Sequence, residues 1–127
     1  PPACDQDAVL AHYQSPIPLY ADESIQCRKN FHQVQRCYQG INIKLDKTGG
    51  LTEALLLADL AQEHAMPIMV GSMGGTSFTM APSMVVAQRC GVVDLDGPLL
   101  LKYDSYPSLV AGDSGLEPPC EASLWCL

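Results

Sequence analysis

INIKLDKTGG, residues 41–50, decides how the rest of the chain is read. Ile41, Ile43 and Leu45 alternate with Asn42, Lys44 and Asp46, the period of two that marks a strand. Gly49 and Gly50 then require a turn before the helical run that starts at Leu51. Two lysines and an aspartate therefore sit where a strand gives way to a loop. In barrels of parallel strands and helices, that end of the strand carries the chemistry. Lys44 lies between apolar Ile43 and Leu45, so its ammonium is held against a partly dry wall. A lysine so placed can have its pKa lowered enough to exchange protons near neutral pH. Taken alone, these ten residues fit a solvated lysine at a strand end at least as well, and the flanking sequence has to decide.

Downstream, residues 51–65 predict a helix whose buried stripe is Leu51, Ala54, Leu55, Ala58 and Ala61, with Thr52, Asp59 and Glu63 in water. PIMVG, 67–71, is a wholly apolar strand, as strands buried on both faces are. A Gly-rich loop follows over 73–79, and Pro82 suits the first turn of a helix running to about residue 90. Residues 92–95 read as a further strand, broken at Gly97-Pro98. Upstream, 28–38 predicts a weaker helix with Phe31, Val34 and Tyr38 on one face, closed by Gly40. IPLYA, 17–21, is a short strand, and 5–14 a short helix with acids at its start and Val9 and Tyr13 on one face.

Strand ends near 21, 45, 71 and 94 recur at roughly 22 to 27 residues, the length of one strand–helix unit. The pattern predicts an α/β fold with a parallel sheet and right-handed crossovers. About four such units make the C-terminal half of a (β/α) TIM-type barrel, or a small open sheet. The expected organisation is a partial barrel over 1–102 and an irregular extension over 103–127, which holds five Gly and Pro between 107 and 119 and has no sustained period. Half a barrel has two raw sheet edges, a liability for a solitary copy.

Composition excludes several classes. At 47% apolar and 17% charged residues, the chain is ordinary globular material for one modest domain. A net charge of -7 argues against a nucleic-acid surface. No run approaches the about 18 apolar residues of a membrane span, and no signal sequence opens the chain. The opening Pro-Pro, without Met, suggests a piece of something longer. Cysteines at 4, 27, 37, 90, 120 and 126 lack zinc-finger or CxxC spacing and read as reduced thiols of a cytoplasmic protein. His12, His32 and His64 lie in helical runs without HxxxH pairing, which argues against a histidine metal site.

Three charged clusters fall at the same end of three strands: Asp22-Glu23, Lys44 with Asp46 and Lys47, and Asp94 with Asp96. Asp22 follows an apolar strand directly, a place for a hard-cation carboxylate such as a Mg²⁺ ligand, though a loop-start Asp is more often a cap or turn former. In Asp94-Leu95-Asp96, an extended segment puts both carboxylates on one side and Leu95 on the other. Such a pair holds a metal or clasps an ammonium, and it equally forms a turn before Gly97-Pro98. GSMGGTS, 71–77, could cradle a phosphate at a helix N-terminus. It lacks the Walker lysine and GxGxxG spacing, and its small residues more readily leave room for a substrate chain.

With these residues in place, the chain resembles the C-terminal half of an enolase-superfamily barrel, in the muconate-cycloisomerase-like subgroup and nearest the dipeptide epimerases. The resemblance rests on PLYADES (18–24), INIKLDKTGGLTEAL (41–55), MVGSMGGTS (69–77) and VDLDGPLLL (93–101), in the order and spacing of that family. It implies that Asp22 is the third carboxylate ligand of a Mg²⁺ ion, Lys44 one of two acid/base lysines, and Asp94 and Asp96 the binders of a dipeptide's α-ammonium. It implies proton abstraction from an α-carbon through a metal-stabilised enediolate, with return of the proton on the opposite face. The absence of a histidine over 69–77 argues against the mandelate-racemase arrangement. The implied partners are a small-molecule dipeptide and the missing N-terminal half with its capping domain; the oligomeric state is left open, a homo-oligomer being one option, and nucleic acid and membrane are not expected partners. The second lysine, of a KxK-type motif, and two metal ligands would precede Pro1, so the isolated 127 residues are expected to be inactive. Alternatives are an N-acylamino-acid racemase or cycloisomerase of the same superfamily, a non-catalytic remnant or assembly module, and a phosphate-binding barrel enzyme using 71–77.

Overall fold

The computed structural model describes residues 4–113 and 115–117. Cys120 and Cys126 lie outside them, as does the end of the predicted extension; Cys27, Cys37 and Cys90 are free thiols. Four parallel strands, β1 (Tyr20–Ala21), β2 (Gly40–Ile43), β3 (Ile68–Gly71) and β4 (Val92–Asp94), form one sheet in chain order. This is the parallel α/β architecture that the strand–helix spacing predicts. Its register pairs Ala21 with Ile41, Ile43 with Val70, and Gly71 with Asp94.

Alternation along the strands sorts the side chains. Ala21, Ile41, Ile43, Ile68 and Val70 are buried in the core. Against them pack α3 (Leu51–Glu63) and α4 (Ser77–Ala87), the latter through Met80 and Val86. Full burial of a side chain such as Ile41, Ile43, Leu57 or Val70 stabilises by about 1.5–3 kcal/mol. The opposite set, Tyr20, Asn42, Met69 and Gly71, faces the other side of the sheet. There a Cβ on Gly71 would stand 2.9 Å from Asn42 Oδ1, and one on Gly40 would run into the Tyr20 ring. Each bare glycine is thus covered by its neighbour's side chain.

Several elements depart from expectation. The buried stripe of α3 is Ala54, Leu57, Ala58 and Ala61, while Leu51 and Leu55 are half-buried. Small alanines bring the helix close to the sheet, and Leu57 fills the remaining depth. Phe31, Val34 and Tyr38 are all buried as their spacing predicts, yet the helix is only a 3-10 turn (Arg28–Asn30) joined to α1 (Phe31–Val34). The first segment is a 3-10 helix (Cys4–His12). Val9 and Tyr13 are exposed, and Asp7 turns inward instead.

The strand predicted to reach Leu45 stops at Ile43, and Leu45–Thr48 forms a single helical turn, α2. Lys44 is its extended N-cap, its carbonyl accepting from Lys47 and Thr48. Gly49 ends the turn at φ 76°, the left-handed region that only glycine enters cheaply. Pro82 sits inside α4 rather than in its first turn, because the helix begins five residues earlier than expected at Ser77. The tail contains a short antiparallel hairpin, β5 (Val110–Gly112) with β6 (Gly115–Glu117).

Candidate active site

The sequence places Asp22 one residue beyond β1 and Lys44 one residue beyond β2. Their side chains meet: Lys44 Nζ donates to Asp22 Oδ2 at 2.9 Å. Lys47, carried on α2, reaches the same carboxylate from the other oxygen, ion-paired to Asp22 Oδ1. Its ammonium also donates to the main-chain carbonyl of Asp22 and, at 3.4 Å, to that of Asn42. The three side chains are largely enclosed, 25% exposed for Asp22, 14% for Lys44 and 10% for Lys47.

Burial pushes the Asp22 carboxyl upward, but hydrogen bonds and charge from Lys47 and Lys44 outweigh it and hold the group below its ordinary value. Asp22 is therefore a carboxylate. Burial pushes the Lys47 ammonium down, against the pull of Asp22 and with the push of Lys44. In the sequence Lys47 is grouped with Lys44 but carries no assigned role. Its position three residues after Lys44 was the available signal, hidden because the helical turn of α2 was read as strand and loop. Asp46 is exposed on α2.

Asn42 was also missed. It precedes Lys44 by two residues, so alternation puts it on the same face. Asn42 is 6% exposed, and its Oδ1 has no hydrogen-bond partner among the described residues. The carboxamide lies across bare Gly71.

Asp94 and Asp96 stand apart from this cluster. The register pairs Ile43 with Val70 and Gly71 with Asp94, so Lys44, Gly71 and Asp94 fall in one row. Lys44 and Asp94 are then two strand spacings apart, about 10 Å between backbones. Both aspartates are exposed. With Leu95 they line a cavity of about 420 Å³, bounded by Met84 on α4 and Gly112 of the hairpin. Asp22, Lys44 and Lys47 do not line it.

The Gly-rich loop leads to an α4 N-terminus that the protein fills with its own anion. Asp104 accepts from Ser77 N at 2.7 Å, and Ser105 Oγ accepts from Phe78 N at 3.1 Å. A phosphate at these amides would have to displace a carboxylate, which removes the support for the phosphate-cradle reading.

Asp22 fits a hard cation in chemistry, as an ionised oxygen donor at a strand end. Among the described residues, no three His, Cys, Asp or Glu converge as a metal site. Further oxygen ligands for a cation at Asp22 would therefore come from elsewhere.

Four parallel strands in chain order, joined by helical segments, make part of a (β/α) barrel. Residues 1–103 match the family described as enolase C-terminal domain-like, and the chain belongs to that family. It is similar to an N-acetyl-D-glutamate racemase from Pseudoalteromonas, 45% identical over 94% of this chain and 38% of the relative. It is similar also to the L-Ala-D/L-Glu epimerase of Escherichia coli K12, 43% identical over 85% of this chain and 33% of that enzyme. Among solved structures it resembles an enolase family member from Agrobacterium tumefaciens with homology to dipeptide epimerases, described with bound sodium and L-Ala-L-Glu. That match has a TM-score of 0.91 and 46% identity, and covers 98% of this chain and 38% of the other. The chain thus spans between 33% and 38% of the length of these relatives. No helix among the described residues is long and apolar enough to cross a membrane.

Proposed function

We propose that this chain is part of a longer Mg²⁺-dependent epimerase that inverts an α-carbon of a dipeptide, L-Ala-L-Glu being the first substrate to test. The observation that carries the reading is the pairing of Lys44 with Asp22 at 2.9 Å across two strand ends. In this reading Lys44 exchanges the α-proton and Asp22 is one carboxylate ligand of the ion. Asp94 and Asp96 hold the dipeptide's free ammonium. Mg²⁺, when bound, supplies positive charge where negative charge builds on the substrate carboxylate as the proton leaves.

Lys44 carries a partly enclosed amino group on the sheet face opposite the core, ion-paired to Asp22. Released from Asp22 and as the neutral amine, it takes the proton from one face, becoming the ammonium, and a group outside these residues returns one on the other. The register distance between Lys44 and Asp94 leaves room for an extended dipeptide, with its α-carbon near Lys44 and its ammonium near the aspartates. Gly71, between them in the row, adds no side chain of its own, and the Asn42 carboxamide lies over it. The residues in hand make up one side of such a site, so the 127-residue chain alone is inactive in this reading.

A second reading is favoured by the similarity to the N-acetyl-D-glutamate racemase. An N-acetyl amino acid presents the same α-carbon and carboxylate but brings no ammonium. In that case Asp94 and Asp96 form only the turn that leads to the 3-10 segment Gly97–Leu100.

The test incubates the full-length protein with Mg²⁺ in D₂O, with L-Ala-L-Glu or N-acetyl-L-glutamate, and reads deuterium gain by mass spectrometry. Exchange into the dipeptide, lost in Lys44→Ala and weakened in KM by Asp96→Asn, supports the epimerase. Exchange into the N-acetyl substrate alone supports the racemase. Exchange unaffected by Lys44→Ala would sink both.

A further inference from the structure

One carboxylate here is shared by two ammonium groups, and the two are not equivalent. Lys44 holds Asp22 by a single contact, to Oδ2 at 2.9 Å, from a side chain leaving the end of β2. Lys47 holds Oδ1 and, in addition, the main-chain carbonyls of Asp22 and Asn42. Those carbonyls belong to the ends of two neighbouring strands. Lys47 is also the more enclosed of the two, and its own backbone is fixed in α2 by a hydrogen bond to the Lys44 carbonyl at 3.0 Å.

A divalent cation approaching Asp22 meets two positive groups already on the carboxylate, and one must leave. Release of Lys44 gives up one charge-assisted hydrogen bond. Release of Lys47 would also give up its bonds to the carbonyls of Asp22 and Asn42, the larger loss. Lys44 therefore leaves and Lys47 stays.

We propose that Lys47 is a positioning residue that pins Asp22 through Oδ1, so that the carboxylate offers a cation only Oδ2. Entry of the cation at Oδ2 then frees the Lys44 ammonium. This rests on the reading of Asp22 as a metal ligand and of Lys44 as the acid/base group. Its consequence is that metal binding and release of the acid/base lysine become one event.

The prediction concerns which metal the site prefers. Mg²⁺ demands near-octahedral geometry and takes one oxygen per carboxylate, whereas Ca²⁺ accepts both oxygens of one carboxylate. With Lys47 in place, two-oxygen binding is blocked. In Lys47→Met, Asp22 is free to turn both oxygens to the ion. Loss of a nearby positive charge strengthens binding of both dications alike, so the ratio of their affinities isolates the positioning effect.

The experiment titrates the metal-free full-length protein with Mg²⁺ and with Ca²⁺ by calorimetry, for the wild type, Lys47→Met and Lys47→Gln. The expected result is a shift of the affinity ratio toward Ca²⁺ by roughly tenfold or more, the scale on which outer partners of a ligand act. An unchanged ratio, with Mg²⁺ still bound, overturns the positioning role and leaves the epimerase reading standing. Failure of the wild type to bind either ion overturns the metal reading itself. A crystal structure of the wild type with Mg²⁺ tests the same point without a variant. Mg²⁺ on Oδ2 with Lys47 still on Oδ1 supports the assignment; Mg²⁺ on both oxygens, or Lys47 displaced while Lys44 remains, overturns it.

Discussion

Asp104→Ala should loosen the first turn of α4 and leave the rest of the chain intact. Four amides at the start of a helix have no partner within it. In α4 two of them, at Thr79 and Met80, donate to the Thr76 carbonyl at 3.0 and 3.1 Å. The other two are supplied from the tail: Ser77 N by Asp104 Oδ1 at 2.7 Å, and Phe78 N by Ser105 Oγ at 3.1 Å. Asp104 also accepts from the Ser77 hydroxyl, whose oxygen accepts in turn from Leu109 N at 2.9 Å. Removing a capping oxygen destabilises by about 0.5–2 kcal/mol, and a carboxylate at the positive end of a helix adds a few tenths. Asp104 is exposed, so salt screens its charge, but the amide and hydroxyl it would leave belong to fully buried Ser77. These opposing effects place the loss near the middle, about 1 kcal/mol, or roughly fivefold in the local opening constant. Amide hydrogen exchange read by mass spectrometry should show this speeding at residues 77–80 and not over α3. Equal acceleration in both helices, or none in α4, would refute the argument. Burial pushes the Asp104 carboxyl up, but hydrogen bonds from Ser77 and Ser105 prevail and hold it below its ordinary value. A depressed folded pKa stabilises above the unfolded value near 3.9. The wild-type protection should therefore fade as pH falls below about 4, and the variant should show no such change.

The buried Tyr38 hydroxyl donates to Asp7 Oδ1 at 2.6 Å, and burial, with that bond, pushes its pKa up to about 12. A raised folded value stabilises below the unfolded value near 10 and is lost as pH rises from about 10 toward 12, which a near-ultraviolet titration with parallel unfolding measurements would follow. Tyr38→Phe leaves buried Asp7 without this donor and should destabilise by about 1–3 kcal/mol in denaturant unfolding. Gly71→Val forces a side chain into the place of the Asn42 carboxamide and should destabilise by about 1–3 kcal/mol. It should also lower deuterium exchange into substrate while Mg²⁺ affinity holds; normal exchange would show that the room beside Gly71 is not used.

The fold was legible where burial sets the residue pattern. The apolar run 67–71 and the alanine-rich helix after Gly50 declare themselves because Ile68 and Val70 on the one, and Ala54, Ala58 and Ala61 on the other, turn to the same core, while Met69 on the opposite sheet face is only half-buried. The end of β2 was not legible, since Lys44 to Asp46 fit an alternating strand as well as the first turn of α2, and only the hydrogen bonds to the Lys44 carbonyl decide. The start of α4 was misread for a different reason. Its cap comes from Asp104 and Ser105, 27 residues onward, and no local window contains both the helix and its cap. The hairpin escaped because each strand is three residues long, too short to show a period. At the site, the strand-end rule picked out Asp22 and Lys44, which do meet. It could not rank Lys47 above its neighbours, because that depends on how a single helical turn rotates one side chain back over β1.

The residues of this chain divide by what they could decide. Asp22, Lys44 and Lys47 form one connected cluster, which in the proposed reaction handles a proton and a charge, and that need is the same for a dipeptide and for an N-acetyl amino acid. Asp94 and Asp96 lie two strands away from Lys44 on the open edge, and among the described residues no hydrogen bond or ion pair joins them to the cluster. They could matter only if the substrate carries a cation at that distance. A change at Asp96 should therefore alter which acyl group is accepted and leave the Lys44 step in place, since uniform binding energy lost at a remote group appears in KM before it appears in kcat. If Asp96→Asn instead slowed both substrates equally in kcat, the separation of recognition from chemistry would fail, and Asp96 would have to act on the Lys44 cluster through the sheet.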